Sequence, residues 1–255
     1  MNVLLVDVGN TNIEWRLSGE VDLARCGLFR CAVDSSGFKD WLQSNKSQID
    51  SVAVSSVQTE TWNADLCSLC NELSLECWFA TSAAKELGLV SAYATPQHLG
   101  VDRWLAMLAL WSRLHAGFLV VDAGTAITID IVDNSGTHMG GYILPGLKMQ
   151  RQVLLGKSSV LDSQVNDVLE PCIELGADTG EAIDNGVLAS VVALLQKLIS
   201  KESSWLDQVV FTGGDAEVLG GFFDSVVVQE GLVLEGLVAS WVQYSSAGKP
   251  SGDCS

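Results

Sequence analysis

The feature that most constrains this chain is a short apolar run stopped by an acid, and it occurs twice. Val3-Leu4-Leu5-Val6 ends at Asp7, the loop Gly9-Asn10-Thr11 follows, and a second run starts at Ile13. Phe118-Leu119-Val120-Val121 ends at Asp122, with Ala123-Gly124-Thr125-Ala126 and then Ile127 to Ile131 behind it. Each reads as strand, tight polar turn, strand, which is a β-hairpin. Glycine lets the loop backbone approach a ligand closely, and the Asn and Thr side chains add hydrogen-bonding groups. An aspartate at the end of a buried strand is costly unless a cation or a donor sits beside it. Either copy alone is compatible with an ordinary hairpin closed by an Asx-type turn. Two copies, one heading each half and differing by one residue in spacing, imply a duplicated fold. Two such loops facing each other would hold a polyphosphate on backbone N–H groups and its metal on the carboxylates.

The 255 residues suffice for two modest domains. The second hairpin sets the division, giving an N-terminal domain over 1–115 and a C-terminal domain over 116–255. The formal net charge of −17 argues against nucleic acid and anionic membranes as partners. It leaves room for a nucleotide, which loop amides and Mg²⁺ can bind without lysines. No apolar run approaches the length of a membrane span, so no membrane partner is expected. The seven cysteines are an odd number, and Val3 to Val6 is too short for a secretory signal. Reduced thiols in the cytoplasm are the expectation. Cys67-x-x-Cys70 looks like half a zinc site, but no second pair follows, and the pattern around it is an amphipathic helix. These, with Cys26, Cys31, Cys77, Cys172 and Cys254, read as core or surface thiols.

Along the first half the periodicity gives a third strand from Val21 to Arg30 and a helix from Ser36 to Ser44. A strand from Ser51 to Ser55, a helix from Thr59 to Leu73 and a strand from Leu75 to Ala80 come next, and Thr81 is expected to cap a short helical turn. Tyr93 to Leu99 reads as loop. Gly100-Val101-Asp102-Arg103 then opens a helix to His115, with Trp104, Leu105, Leu108, Trp111 and Leu114 on a wide apolar face. Asp102 falls in its first turn. Spacing alone favours a helix-capping acid and a solvated Arg103 over a carboxylate and guanidinium presented at a cleft.

In the second half, Gly140-Gly141-Tyr142-Ile143-Leu144-Pro145-Gly146 is expected to break regular structure. The helix from Leu147 to Leu155 and Lys157 behind it are basic through Lys148, Arg151 and Lys157, read as a solvated face rather than an anion site. Asp178-Thr179-Gly180-Glu181 precedes a long helix from Ala182 to Lys201. A strand from Gln208 to Phe211 runs into Thr212-Gly213-Gly214-Asp215-Ala216, a strand-to-helix turn suited to a flat ring or a phosphate. A strand from Val226 to Gln229, a helix from Leu232 to Tyr244 and a polar, frayed tail from Ser245 complete the chain.

Together these motifs resemble the acetate-kinase, sugar-kinase, heat-shock chaperone and actin superfamily, and within it the type III pantothenate kinases. Asp7-Val8-Gly9-Asn10-Thr11 resembles the first phosphate motif, Asp122-Ala123-Gly124-Thr125-Ala126 the second, and Phe211-Thr212-Gly213-Gly214-Asp215-Ala216 the adenosine motif. Tyr93, Gly100-Val101-Asp102-Arg103, Gly140 to Gly146 and Asp178-Thr179-Gly180-Glu181-Ala182-Ile183 are similar to pieces particular to the pantothenate kinases. The resemblance implies an α/β fold of duplicated ribonuclease H-like, actin-like ATPase domains, each a mixed five-stranded sheet flanked by helices. It implies ATP-dependent phosphorylation of pantothenate to 4′-phosphopantothenate, the first step of coenzyme A biosynthesis.

It implies further that Asp7, Val8, Gly9, Asn10, Thr11, Asn12, Ile13 and Glu14, with Thr125, Gly213 and Gly214, bind ATP. Asp7 would hold Mg²⁺. Tyr93, Gly100, Val101, Asp102, Arg103 and Thr179 would bind pantothenate, with Asp102 as base. Asp122 would bind a monovalent cation, K⁺ or NH₄⁺, and the protein would be a homodimer, Thr179 reaching the partner's site. The resemblance thereby reverses the spacing argument for Asp102 and Arg103. One departure is Glu14, where many relatives carry Lys. Two other classes share these motifs: a sugar-type kinase of the same fold, and a non-catalytic nucleotide-binding regulator.

Overall fold

The computed structural model describes residues 2–18, 27–155 and 171–246. The start of the third strand (Val21 to Cys26), Lys157, Cys254 and the tail beyond 246 lie outside the described residues. The chain divides into two compact units, one of residues 1–115 with 231–255 and one of residues 116–230.

The first unit is built on a five-stranded sheet of β1 (Val3–Val8), β2 (Asn12–Ser18), β3 (Phe29–Ala32), β4 (Ser51–Ser56) and β5 (Glu76–Phe79), in the order β3-β2-β1-β4-β5. The first three strands are antiparallel, and β4 and β5 add in parallel to β1. Alternation along the strands divides the apolar residues between two faces. Leu4, Val6, Val8, Ile13, Trp15, Val52 and Val54 form one core with α1 (Gly37–Asn45) and α2 (Glu60–Glu72). Trp15 anchors it, its ring 5.2 Å from that of Phe38 and 5.7 Å from that of Trp41. Thr59 caps α2, its hydroxyl accepting from the Trp62 N–H at 3.3 Å. Cys70 of the Cys-x-x-Cys pair is fully buried in this core.

α3 (Val101–Leu114) and α7 (Leu232–Ser246) are the other helices of this unit, and α7 packs on α3, β1 and β4. The division at 115/116 leaves α7 with the second half; in space it belongs to the first unit. Its composition explains why. Leu232, Leu234, Leu237 and Trp241 are buried, and each such side chain is worth about 1.5–3 kcal/mol once out of water. The contact with α3 is made at backbone distance, since a Cβ added at Gly236 would lie 1.9 Å from the Leu105 carbonyl oxygen.

The turn expected at Thr81 is absent. A small hairpin of β6 (Lys85–Glu86) and β7 (Leu89–Val90) follows instead. Its two loop residues, Leu87 and Gly88, both have positive φ, at 47° and 94°. A leucine there is unusual, and Leu-Gly is not the Asn-Gly signal by which such turns are recognised. Glu86 ties the hairpin down, accepting from Trp104 Nε1 at 2.9 Å and from Ser240 Oγ at 2.6 Å.

The second unit repeats the plan. β8 (Phe118–Ala123), β9 (Ala126–Val132), β10 (His138–Pro145), β11 (Gln208–Thr212) and β12 (Val227–Val228) form a sheet in the order β10-β9-β8-β11-β12. Three antiparallel strands and two parallel additions recur in the same places. α4 (Leu147–Leu155), α5 (Thr179–Glu202) and α6 (Ala216–Gly220) accompany it. The glycine-rich stretch from Gly140 to Pro145 does not break the structure; it completes β10. β10 is an edge strand, where proline's missing N–H costs no ladder bond, and the register shift after His138 falls at Gly140, whose φ is +105°. α5 begins at Thr179, three residues earlier than the periodicity indicates, because Asp178 caps it and accepts from the Glu181 N–H at 2.9 Å. α5 is, among the described helices, the one long and apolar enough to cross a membrane, but Leu188, Val191, Val192, Leu195 and Leu198 on it belong to the second core.

Candidate functional site

The candidate residues collect at strand ends in both units. In the first unit Asp7 is the half-buried penultimate residue of β1. The loop after it is closed by the Gly9 N–H donating to the Asn12 carbonyl at 2.9 Å, and Gln58 Nε2 donates to the Gly9 carbonyl at 2.8 Å. Asn10, Thr11 and Asn12 are exposed, whereas the Val8 and Ile13 side chains are core. Only the backbone of those two is available to a ligand. Beside Asp7 in the parallel ladder stands Ser55, fully buried, its hydroxyl without a hydrogen-bond partner.

The start of α3 forms a second cluster in the same unit. Asp102 lies in the first turn, and its Oδ1 accepts from the Arg103 N–H at 2.8 Å. A Cβ at Gly100 would stand 2.5 Å from that oxygen, so glycine makes the room the carboxylate occupies. Arg103 is 6% exposed, and its guanidinium donates to the Tyr93 hydroxyl at 3.1 Å while lying 5.9 Å from the Tyr93 ring centre. A solvated Arg103 is therefore incorrect. Tyr93, Gly100, Asp102 and Arg103 are together, although ten residues separate the tyrosine from the arginine. Val101 is buried at the helix start.

In the second unit Asp122 is the penultimate residue of β8, next to Thr212 of β11. Gly213, at φ +90°, lies against it: a Cβ there would meet Asp122 Oδ1 at 2.5 Å and the Ala123 carbonyl oxygen at 2.6 Å. The turn is pinned by the Asp215 N–H donating to the Ala123 carbonyl at 2.8 Å. Thr125 is exposed at the tip of its loop, and its carbonyl accepts from the Gly146 N–H at 2.9 Å. Gly146 allows no side chain, since a Cβ would lie 2.2 Å from the Gly124 carbonyl oxygen. Thr179 is exposed at the first position of α5.

The turn at Gly213-Gly214 adjoins a cleft of about 200 Å³ lined by Asp215 and Val218, by Leu147, Lys148 and Arg151 of α4, and by Asp184 and Leu188 of α5. Arg151 Nε donates to Asp184 Oδ1 at 2.7 Å. The basic helix is thus not simply a solvated face: Lys148 and Arg151, three apart on α4, both turn to the cleft. Periodicity alone cannot tell which side of a helix meets a cavity. Burial pushes the Asp215 carboxyl above its ordinary value, with Lys148 working against it. Among the described residues no three His, Cys, Asp or Glu side chains converge as a metal cluster.

Two mixed five-stranded sheets of identical order, each with an Asp-Gly-Thr loop at the end of its central strand, define an actin-like ATPase fold of the sugar-kinase kind. The fold recurs in a structure described as a Baf family transcriptional activator from Campylobacter jejuni, with TM-score 0.60, 24% identity and 95% and 99% of the two chains covered. It recurs too in the activator of 2-hydroxyisocaproyl-CoA dehydratase from Clostridium difficile with bound ADPNP, with TM-score 0.51, 12% identity and 99% of each chain covered. At these identities the two bear on the fold alone. The sequence is more specific. The type III pantothenate kinase family profile matches residues 3–201. A type III pantothenate kinase from Marinobacter nauticus is 36% identical over 92% of this chain and 96% of its own length. The chain belongs to the type III pantothenate kinase family.

The raised carboxyl of Asp215 has a testable sign. Its protonated form is favoured in the folded state. The stability it confers is present below the ordinary value of 3.8 and is lost as pH rises through the raised one. Asp215→Asn should therefore melt above the wild type at neutral pH, the gap closing as the pH falls to about 3.8. Thermal melts at both pH values check this.

Proposed function

We propose that this protein transfers the γ-phosphate of ATP to the primary hydroxyl of pantothenate, giving ADP and 4′-phosphopantothenate towards coenzyme A. Family membership supports the substrates, and the observation that carries the site is the Gly100, Asp102, Arg103 and Tyr93 cluster. Asp102 would take the hydroxyl proton. In a loose phosphoryl-transfer transition state the nucleophile bond is little formed, so the proton leaves late and a carboxylate suffices. Arg103, held by Tyr93, would orient a polar group of the acceptor together with Gly100, Val101 and Thr179. Positioning of this kind supplies much of the rate in phosphoryl transfer.

The backbone of residues 7–14 and Thr125 would hold the ATP phosphates, and Gly213 and Gly214 with the adjoining cleft would seat the nucleoside. Asp7 and the unsatisfied Ser55 hydroxyl are hard oxygens side by side in the sheet, which suits Mg²⁺ on Asp7. Mg²⁺, when bound, would neutralise charge on the phosphates. Asp122 Oδ1 and the Ala123 carbonyl oxygen both lie close to Gly213, and hard oxygens of this kind would suit K⁺ or NH₄⁺ on Asp122. None of the five described cysteines is in a disulfide, and the reading includes a cytoplasmic enzyme with reduced thiols. A homodimer is supported by apolar side chains left exposed in the second unit, among them Tyr142 and Ile143 on β10 and Val153 and Leu154 on α4.

Purified protein with Mg-ATP and K⁺ or NH₄⁺ should phosphorylate pantothenate in a coupled ADP assay; turnover of a sugar in its place would end the assignment. Asp102→Asn keeps size and capping ability but cannot take a proton, so kcat should fall by about 10²–10⁴, while ATP binding and the melt stay near wild type. If Asp102 only caps its helix, the rate will remain within a few-fold. Asp122→Ala should abolish activation by K⁺ or NH₄⁺, read as rate against cation concentration, and an unchanged response removes Asp122 from that role. Sedimentation velocity should give a dimer at neutral pH; a fully active monomer excludes a site completed by a partner's Thr179.

A further inference from the structure

A polar row crosses four strands of the first sheet at one level. Arg30 on β3 lies opposite Glu14 on β2, Glu14 opposite Asp7 on β1, and Asp7 beside Ser55 on β4. Residues directly opposite in a ladder share a face, so the four project to the same side. The row sits at the level where the Gly9-Asn10-Thr11 loop begins. The second sheet has an equivalent row, Ile143, Thr128, Asp122 and Thr212. The aspartate and its hydroxyl-bearing neighbour on the parallel strand recur there; the charged pair does not. The sheet architecture therefore does not require Arg30 and Glu14.

Stability does not account for the pair either. Arg30 and Glu14 meet at 2.5 Å with side chains 46% and 23% exposed, and ion pairs this open to solvent add little. What the pair changes is local charge. Asp7 and Glu14 are carboxylates directly opposite each other, an arrangement that repels, and a polyphosphate at the loop would add to it. Glu14 offsets this by drawing the Arg30 guanidinium from the edge strand over β2, towards Asp7. A guanidinium carries five donors in a planar fork, so one bond to Glu14 leaves others for phosphate oxygens. Arg16, the next residue on that face of β2, is level with Leu5, two residues back from Asp7 on β1, and its guanidinium lies near Gly231.

We propose that Arg30, held over β2 by Glu14, binds the polyphosphate of the nucleotide at the Asp7 loop. The proposal rests on the reading that residues 7–14 hold the nucleotide phosphates. Its test measures Mg-ATP binding directly by calorimetry, without acceptor, so failure to phosphorylate pantothenate would be a separate result. Arg30→Ala should weaken Mg-ATP binding by about tenfold, the worth of one charge-assisted contact. Arg113→Ala removes the same charge from another exposed ion pair of this unit, with Glu235, and should stay within twofold of wild type. The exchanged pair, Glu14→Arg with Arg30→Glu, keeps the bridge and the net charge and should bind Mg-ATP at least as tightly as wild type. The proposal is overturned if Arg30→Ala binds within twofold of wild type, if Arg113→Ala loses as much, or if the exchanged pair is as weak as Arg30→Ala. Ligand-free melts within a few degrees of wild type show that each variant is folded; should Arg30→Ala not fold, the exchanged pair decides.

Discussion

Everything at the candidate site depends on a carboxylate placed at the end of an apolar central strand. β1 and β8 have an antiparallel neighbour on one side and a parallel neighbour on the other. The hairpin loop leaves from the same end at which the parallel strand finishes, so the strand order switches there, the place at which open α/β sheets take their ligands. Asp7 and Asp122 occupy that end, next to Ser55 and Thr212. An acid in such a position needs positive charge or donors, and in the proposed reading a metal-bound phosphate would add to them.

Room for that chemistry comes from glycines at backbone contacts. Gly100 vacates the space taken by Asp102, Gly213 that taken by Asp122 and the Ala123 carbonyl, and Gly146 lets the end of β10 pass against the second loop. At Gly213 and Gly146 the alternative to glycine is a clash with backbone carbonyls, which cannot turn aside, and at Gly100 it is a clash with the Asp102 carboxylate itself. The same economy of space holds α7 to α3 at Gly236. In a chain of net charge −17, cations near the strand ends are few and local: Arg103 against Tyr93, Lys148 and Arg151 at the cleft, and Arg30 on Glu14. Each is positioned by a specific partner or cavity, and metal ions would carry the rest of the compensation for a polyphosphate.

The sequence by itself determined the duplicated hairpins, the succession of most strands and helices along the chain, and the segments that hold the candidate residues. Those depend on local periodicity and on an apolar run interrupted by an acid, and such signals survive without tertiary context. The family is legible for the same reason, because its motifs sit at strand ends and helix starts. Tertiary structure decided what depends on distance in space. The Leu87-Gly88 hairpin carries no standard turn signal, and β10 tolerates Pro145 only because it lies at a sheet edge. The return of α7 to the first unit, the burial of Arg103 against Tyr93, the turning of Lys148 and Arg151 to a cleft, and the alignment of Arg30, Glu14, Asp7 and Ser55 are all cross-chain pairings. Pattern along a chain fixes which face a residue takes, but not which distant residue it meets there, since that is set by register and packing.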